Sequence, residues 1–277
     1  MQNFNSTEEQ KQQYETDKNL NARVALHQRF STNKQGWMNW VFQNYDLKPG
    51  MRILELGCGN GMIWQENVDK LPPNLSLCLS DFSQGMLNSA RKNTDSLDFI
   101  DYKVIDAQEI PFENDNFDVV IANHMLYHVP DTGKALKEIS RVLRPEGTFY
   151  ATTIGSGNFK EMIEILQNFD ENIDFAQDGI VNAFGLQTGE NRLGEFFDSV
   201  QVRKYEDSLH ITEPEPFIAY VLSSQGIGNI NDIILGERSQ EFTEYILSLF
   251  AQKGCVDVYK EAGIFVSKLP KKCFETV

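Results

Sequence analysis

Gly57-Cys58-Gly59-Asn60-Gly61 follows directly on the apolar-rich stretch Ile53-Leu54-Glu55-Leu56, and Asp81 stands 20 residues beyond the last of these glycines. Glycine has no Cβ, so a strand-to-helix turn built from it lets a ligand come close to the backbone. An aspartate at the end of the next apolar run, Leu75 to Leu79, can accept hydrogen bonds from both hydroxyls of a ribose. The set reads as a cradle for a nucleotide-type cofactor. A dinucleotide site uses the spacing G-x-G-x-x-G and receives a pyrophosphate on its amides. Here the spacing is G-x-G-x-G, with Glu55 two residues ahead of the first glycine. A carboxylate there repels a pyrophosphate and suits a ligand without phosphate that carries a positive sulfonium and ammonium.

S-adenosylmethionine has that chemistry. At these residues the chain resembles the class I S-adenosylmethionine-dependent methyltransferases, most closely the small-molecule group that includes the ubiquinone/menaquinone C-methyltransferases. The resemblance continues in order over roughly residues 50 to 155. Asp106-Ala107 follows the apolar run Phe99 to Ile105, Phe117 to Asn123 reads as a fourth strand, and His124-Met125-Leu126-Tyr127-His128-Val129 is its loop. Leu136 to Leu143 is an amphipathic helix with apolar positions 136, 139, 142 and 143, expected to stop at the turn Pro145-Glu146-Gly147 before a fifth strand, Thr148 to Ile154. Glycines also serve close packing, and an aspartate after a strand is often a helix cap. Five blocks in the right order outweigh both readings.

The resemblance implies a doubly wound α/β fold, with a mainly parallel seven-stranded sheet whose last strand is antiparallel, plus added helices. It implies that Glu55, Gly57, Cys58, Gly59 and Asn60 form the cradle, with Gly57 and Gly59 against the methionine portion. Asp81 is expected at the ribose, Phe82 and Met86 on the adenine face, Asp106 and Ala107 at the adenine edge, and Asn123 at the ammonium through its carbonyl. Methyl transfer to a hydroxyl or a protonated amine needs a base within hydrogen-bond reach. His124 and His128 are the candidates, with Tyr127 at the substrate; His128 also has a structural reading, as a residue that fixes its loop. Arg29 is a candidate for the cofactor carboxylate, with a surface ion pair as the competing reading. His27 and His210 have no motif context.

The elements that must position these residues span the whole chain. It reads as one domain, 1–277, with an N-terminal helical extension (1–50), a cofactor-binding half (51–155) and a C-terminal half (156–277) carrying helical insertions at 156–188 and 209–254. The extension is expected to pack over the cofactor end of the sheet. Residues 1 to 20 are polar, a segment expected to be disordered or to order on binding. Helical spacing covers Leu20 to Phe30 and Trp37 to Tyr45, where Trp37, Trp40 and Val41 suit core packing. Phe159 to Phe169 suits a helix, and Asp170 to Gln187 reads as irregular. Strands are expected at Val200 to Tyr205 and Gly263 to Lys268, with helices near Glu213 to Ser223 and Ser239 to Gln252; Thr212 with Glu215 reads as a capping box.

Composition narrows the partners. With 40 acidic and 25 basic residues the net charge is −15, and the basic residues cluster only at Lys268 to Lys272, which disfavours nucleic-acid substrates. No apolar run reaches the ~20 residues that span a bilayer, and the N-terminus lacks a signal peptide's pattern, so a cytoplasmic monomer or homodimer with no membrane partner is expected. Cys58, Cys78, Cys255 and Cys273 form no C-x-x-C or Cys/His spacing, so free thiols and no metal are expected. The expected reaction is methyl transfer from S-adenosylmethionine to nitrogen, oxygen or carbon of a small-molecule acceptor. The alternatives are an NAD(P)-dependent oxidoreductase and a non-catalytic S-adenosylmethionine-binding regulatory protein.

Overall fold

The structure, a computed structural model, describes residues 18–224, 228–234, 236 and 238–272. The expectation for residues 1 to 20 therefore falls almost wholly outside the described residues, as does Cys273. Seven strands form the sheet: β1 (Arg52–Leu56), β2 (Ser76–Asp81), β3 (Ile100–Val104), β4 (Phe117–Asn123), β5 (Leu143–Ile154), β6 (Phe197–Ile211) and β7 (Val256–Pro270). Their order is β3-β2-β1-β4-β5-β7-β6. Pairing is parallel from β3 through β5, and β7 lies antiparallel to β5, with Thr148 opposite Lys268 and Ile154 opposite Ala262. The expected doubly wound sheet is observed.

Parallel strands covered on both faces need apolar side chains in both directions. Accordingly Ile53, Val119 and Ile121 pack into one cluster and Leu54, Leu56, Val120 and Ala122 into another. Each buried isoleucine, leucine or valine among them contributes about 1.5–3 kcal/mol. Because β1 lies between β2 and β4, the strand order reverses there, and the carboxyl ends of β1 and β4 open on the crevice where ligands sit in sheets of this kind.

Several boundaries differ from expectation for identifiable reasons. The helix α5 (Thr132–Val142), capped by Asp131, whose Oδ1 accepts from Lys134 N at 2.9 Å, ends directly in β5 and not at the Pro145–Gly147 turn. Leu143 already pairs with Phe117, and the ladder shifts before Val119, which accommodates a proline that has no N–H to donate. β6 and β7 are 15 residues each, longer than the apolar runs imply. Exposed positions such as Gln201 to Lys204 hide that part of β6 from an apolar pattern. The segment expected to be irregular contains a helix, Gln177–Phe184, that buries Val181 and Phe184. The helix Pro214–Leu222 is capped by Glu213 without a side-chain bond; Pro214 at its start displaces the Thr212–Glu215 capping box.

The contacts divide the chain into two compact units. One comprises 37–155, 180–205 and 262–277 and contains the parallel sheet; the other comprises 1–36, 156–179 and 206–261. The second unit has its own core, including Leu26, Met162, Leu166, Leu209, Phe217 and Phe242. Within it the Asp207 carboxylate is buried and paired with Lys260, and also accepts from Ser31 Oγ at 2.7 Å and Asn33 N at 3.0 Å. No helix among the described residues is long and apolar enough to cross a membrane.

Candidate functional site

At the carboxyl end of β1 the chain turns through Gly57, Gly59 and Gly61, with φ of +64°, +56° and +73°. L side chains rarely adopt this region. At Gly57 space is also short, since an added Cβ would lie 2.7 Å from Met125 Cβ in the loop after β4. Cys58 and Asn60, the residues between the glycines, are buried. Cys58 N donates to Ser80 O at 2.8 Å, which ties the loop to β2, and burial, with the charges of Glu55 and Asp81, keeps the Cys58 thiol well above its usual range. The short helix α3 (Met62–Gln65) follows.

Glu55 points into the same face as Ile53 and is almost fully buried. Its Oε2 accepts from Trp64 Nε1 at 2.5 Å and its Oε1 from Asn123 Nδ2 at 2.8 Å. β1 and β4 are in parallel register with Glu55 opposite Ile121, so Asn123 falls on the same face two residues on. Burial, opposed by the two hydrogen bonds and assisted by the charge of Asp81, raises the Glu55 carboxyl to about 7. Asn123 is held in turn by Tyr45, whose hydroxyl accepts from Nδ2 at 2.8 Å and donates to Oδ1 at 3.1 Å. Burial and the nearby Glu55 raise the Tyr45 hydroxyl well above its usual range, so it stays protonated.

Asp81 ends β2. Its Oδ2 accepts from Gly59 N at 3.0 Å and its Oδ1 from Ser83 N at 2.8 Å. Burial raises this carboxyl, and the amides of Ser83, Gly59 and Phe82 pull it down in part. Phe82 is exposed, while Met86, on the helix α4 (Gln84–Asn93), is buried. Asp106 is exposed and accepts from Gln108 N at 2.8 Å, beside buried Ala107. The structure thus gathers the loop, Glu55, Asp81 and Asn123 in one hydrogen-bonded constellation, with Asp106 and Ala107 following β3.

His124 is the first residue beyond β4 and has φ +49°, an uncommon conformation for a non-glycine residue. Its N–H donates to Thr152 O and Oγ1, both at 3.1 Å, which holds this turn against β5. The ring lies 5.1 Å from Trp37 and 6.3 Å from Tyr127, and Tyr127 lies 4.6 Å from His128. Trp37, on the helix α2 (Trp37–Gln43), stacks on Trp40 at 5.5 Å, and both rings lie just over 5 Å from Tyr205. His124, Tyr127 and His128 therefore share an aromatic surface with residues far away in sequence. Trp37 thus brings α2 to the residue that follows β4.

Arg29 belongs to the other unit, where its Nη2 makes bonds of 2.6 and 2.7 Å to the Glu213 carboxylate, the ion pair of the competing reading. Reasoning from sequence missed Trp64, Tyr45 and Thr152. Only Trp64 left a signal: a glutamate within an apolar strand needs a buried donor, and a tryptophan nine residues on can supply one.

A family model described as a methyltransferase domain matches residues 47–201. A demethylmenaquinone methyltransferase from Lactobacillus johnsonii is 33% identical over 137 residues, 46% of this chain and 56% of that protein. The chain thus spans about half the length of that curated relative. Among solved structures, the [4+2]-cyclase SpnF superposes with a TM-score of 0.58 at 15% identity, covering 95% of this chain and 96% of that one. The Haemonchus contortus phosphoethanolamine N-methyltransferase 2, bound to phosphomonomethylethanolamine and S-adenosylhomocysteine, gives 0.56 at 20% identity, covering 98% of this chain and 61% of that one. At these identities the two structures show the fold alone.

Proposed function

Because the chain belongs to the methyltransferase-domain family, we propose that it transfers a methyl group from S-adenosylmethionine to nitrogen, oxygen or carbon of a small-molecule acceptor. One observation carries this reading: Glu55 and Asp81, two carboxylates beside the glycine loop, are held by neutral donors, and burial raises both carboxyls, that of Glu55 further through the charge of Asp81. Such a pair favours a cationic ligand and disfavours a pyrophosphate. The ligand would supply an electrophilic methyl on a sulfonium. Gly57, Cys58, Gly59 and Asn60 would line its methionine end, Asp81 its ribose, Phe82 and Met86 its adenine face, Asp106 and Ala107 the adenine edge, and Asn123 its ammonium.

The chain's remaining work is to orient the acceptor, exclude water and move one proton. His124 takes the proton from an acceptor hydroxyl or ammonium. Its strained backbone, fixed by Thr152, supports this role, because strain of this kind collects at functional positions. Tyr127 contacts the acceptor, and His128 braces Tyr127 through their ring contact. The rings of Trp37, Trp40 and Tyr205 favour an acceptor with an apolar or aromatic body.

Isothermal titration tests the cofactor. S-adenosylmethionine or S-adenosylhomocysteine should bind at one site per chain with micromolar affinity, about −8 kcal/mol, and NAD should be silent. NAD binding with no response to S-adenosylhomocysteine would overturn the reading in favour of an oxidoreductase. Methyl transfer is then assayed by mass spectrometry across phenols, quinols and amines; tight cofactor binding with every acceptor unchanged would favour a non-catalytic binding protein.

A further inference from the structure

In the unit that holds residues 206–261, two pairs join β6 and β7: Asp207 with Lys260, and His210 with Asp257. As numbers rise along one strand they fall along the other, as an antiparallel pair requires. Side chains alternate between faces along a strand. Leu209 and Ile211 on either side of His210 are buried, and so are Val256 and Val258 on either side of Asp257. These four anchors turn His210 and Asp257 outward together. Cys255 lies two residues before Asp257 and so shares its face, partly exposed.

The result is a set that spacing along the chain does not reveal. His210 Nδ1 lies 2.7 Å from Asp257 Oδ1, and one donor atom each from His210, Cys255 and Asp257 lies within 4.8 Å of the other two. Around a tetrahedral zinc ion, with bonds of about 2.0–2.3 Å, donor atoms sit roughly 3.3–3.8 Å apart. Rotation of exposed side chains on a fixed strand pair covers that difference. We propose that His210, Cys255 and Asp257 bind a thiophilic divalent transition-metal ion of the zinc class, one per chain. Thiolate, imidazole and carboxylate together suit zinc and its near neighbours, whereas calcium and magnesium take oxygen donors. Three protein ligands leave a fourth position for water or another donor. Binding converts the Cys255 thiol to a metal thiolate and releases its proton to solvent. None of the three residues belongs to the glycine-loop constellation, so metal loading is a separate property from the proposed methyl transfer.

The test uses untagged, reduced, full-length protein freed of metal by a chelator and titrated with Co2+, then with Zn2+ in competition with a chromophoric chelator. One equivalent of Co2+ should produce a thiolate-to-cobalt charge-transfer band with the strong visible bands of tetrahedral cobalt, and Zn2+ should displace it. Cys255→Ser should abolish the charge-transfer band, while Cys273→Ser should leave it intact. His210→Gln and Asp257→Asn should each weaken Zn2+ binding by at least about tenfold, since losing a direct ligand costs no less than losing an outer-shell partner. All three sites are partly or fully exposed, and an unchanged circular dichroism spectrum confirms that each variant folds. Absence of the band in the wild type, or its persistence in Cys255→Ser, would overturn the proposal.

Discussion

Burial and the charge of a cationic ligand would act on the Glu55 carboxyl in opposite directions. Burial first, moderated by Trp64 and Asn123, raises it to about 7, so the native state holds a proton that the unfolded chain releases. The contribution of Glu55 to folding stability is therefore complete at acid pH and is lost as pH rises from the ordinary carboxylate range through about 7. A cationic ligand prefers the ionised form, so cofactor affinity should rise from about pH 6 to about pH 8, with a proton released on binding below the midpoint. Calorimetry in buffers of different ionisation heat measures that proton, and Glu55→Gln should flatten both profiles. A flat affinity profile in the wild type would detach Glu55 from the ligand. Asp81→Ala should weaken cofactor binding by about ten- to hundredfold, the ~1.5–3 kcal/mol of hydrogen bonds to a charged group, with a native fold retained although Gly59 N and Ser83 N lose their acceptor. Unchanged affinity would place the ribose elsewhere.

Helix α5 acts as a clamp on the loop that presents Asp106 and Ala107. Arg141 donates to Phe112 O at 2.7 Å and to Ile110 O at 2.8 Å, and Glu138 Oε2 accepts from Ile110 N at 2.9 Å. The bond from Arg141, ahead of other influences, holds the Glu138 carboxyl below its usual range. That stabilisation is present at neutral pH and is lost as pH falls through the lowered value. Arg141→Ala removes the guanidinium bonds to both carbonyls and should cost about 1–3 kcal/mol at pH 7, with the difference from wild type shrinking in acid. Urea titrations at both pH values check this; an equal loss at both would mean that the carbonyl bonds, and not the pairing with Glu138, carry the effect.

At the scale of the molecule, the unit containing residues 206–261 depends on a charge that the sequence does not mark. Asp207 joins the segment at Ser31 and Asn33 to β6 and β7 through Lys260. Asp207→Ala removes the carboxylate paired with the buried Lys260 ammonium and should destabilise the protein by about 3–5 kcal/mol in urea denaturation. Replacing both members, by Asp207→Leu with Lys260→Met, should recover only part of this, because Asn33 N would still lack its acceptor. Full recovery would mean that Asp207 serves the ion pair and not the N-terminal segment.

Local chemistry made one part of this protein legible from its residues alone. Strand β1, the glycine loop, Asp81 and the positions of the first five strands along the chain follow from short apolar runs and turn residues, which depend on near neighbours, whereas the sheet they form was implied by the family resemblance. Glu55 was read as a carboxylate suited to a cationic ligand from its place two residues ahead of the loop, which is also a local feature. What depends on partners far along the chain was not readable. The bond from Tyr45 to Asn123, the ring of Trp37 against His124 and the convergence of His210, Cys255 and Asp257 join residues that no periodicity links. The long, partly polar β6, the fate of Arg29 and the interleaving of three chain segments in each unit were likewise decided by tertiary packing. A side chain's charge and shape are local properties, whereas the groups that satisfy them are chosen only when distant segments are brought into contact.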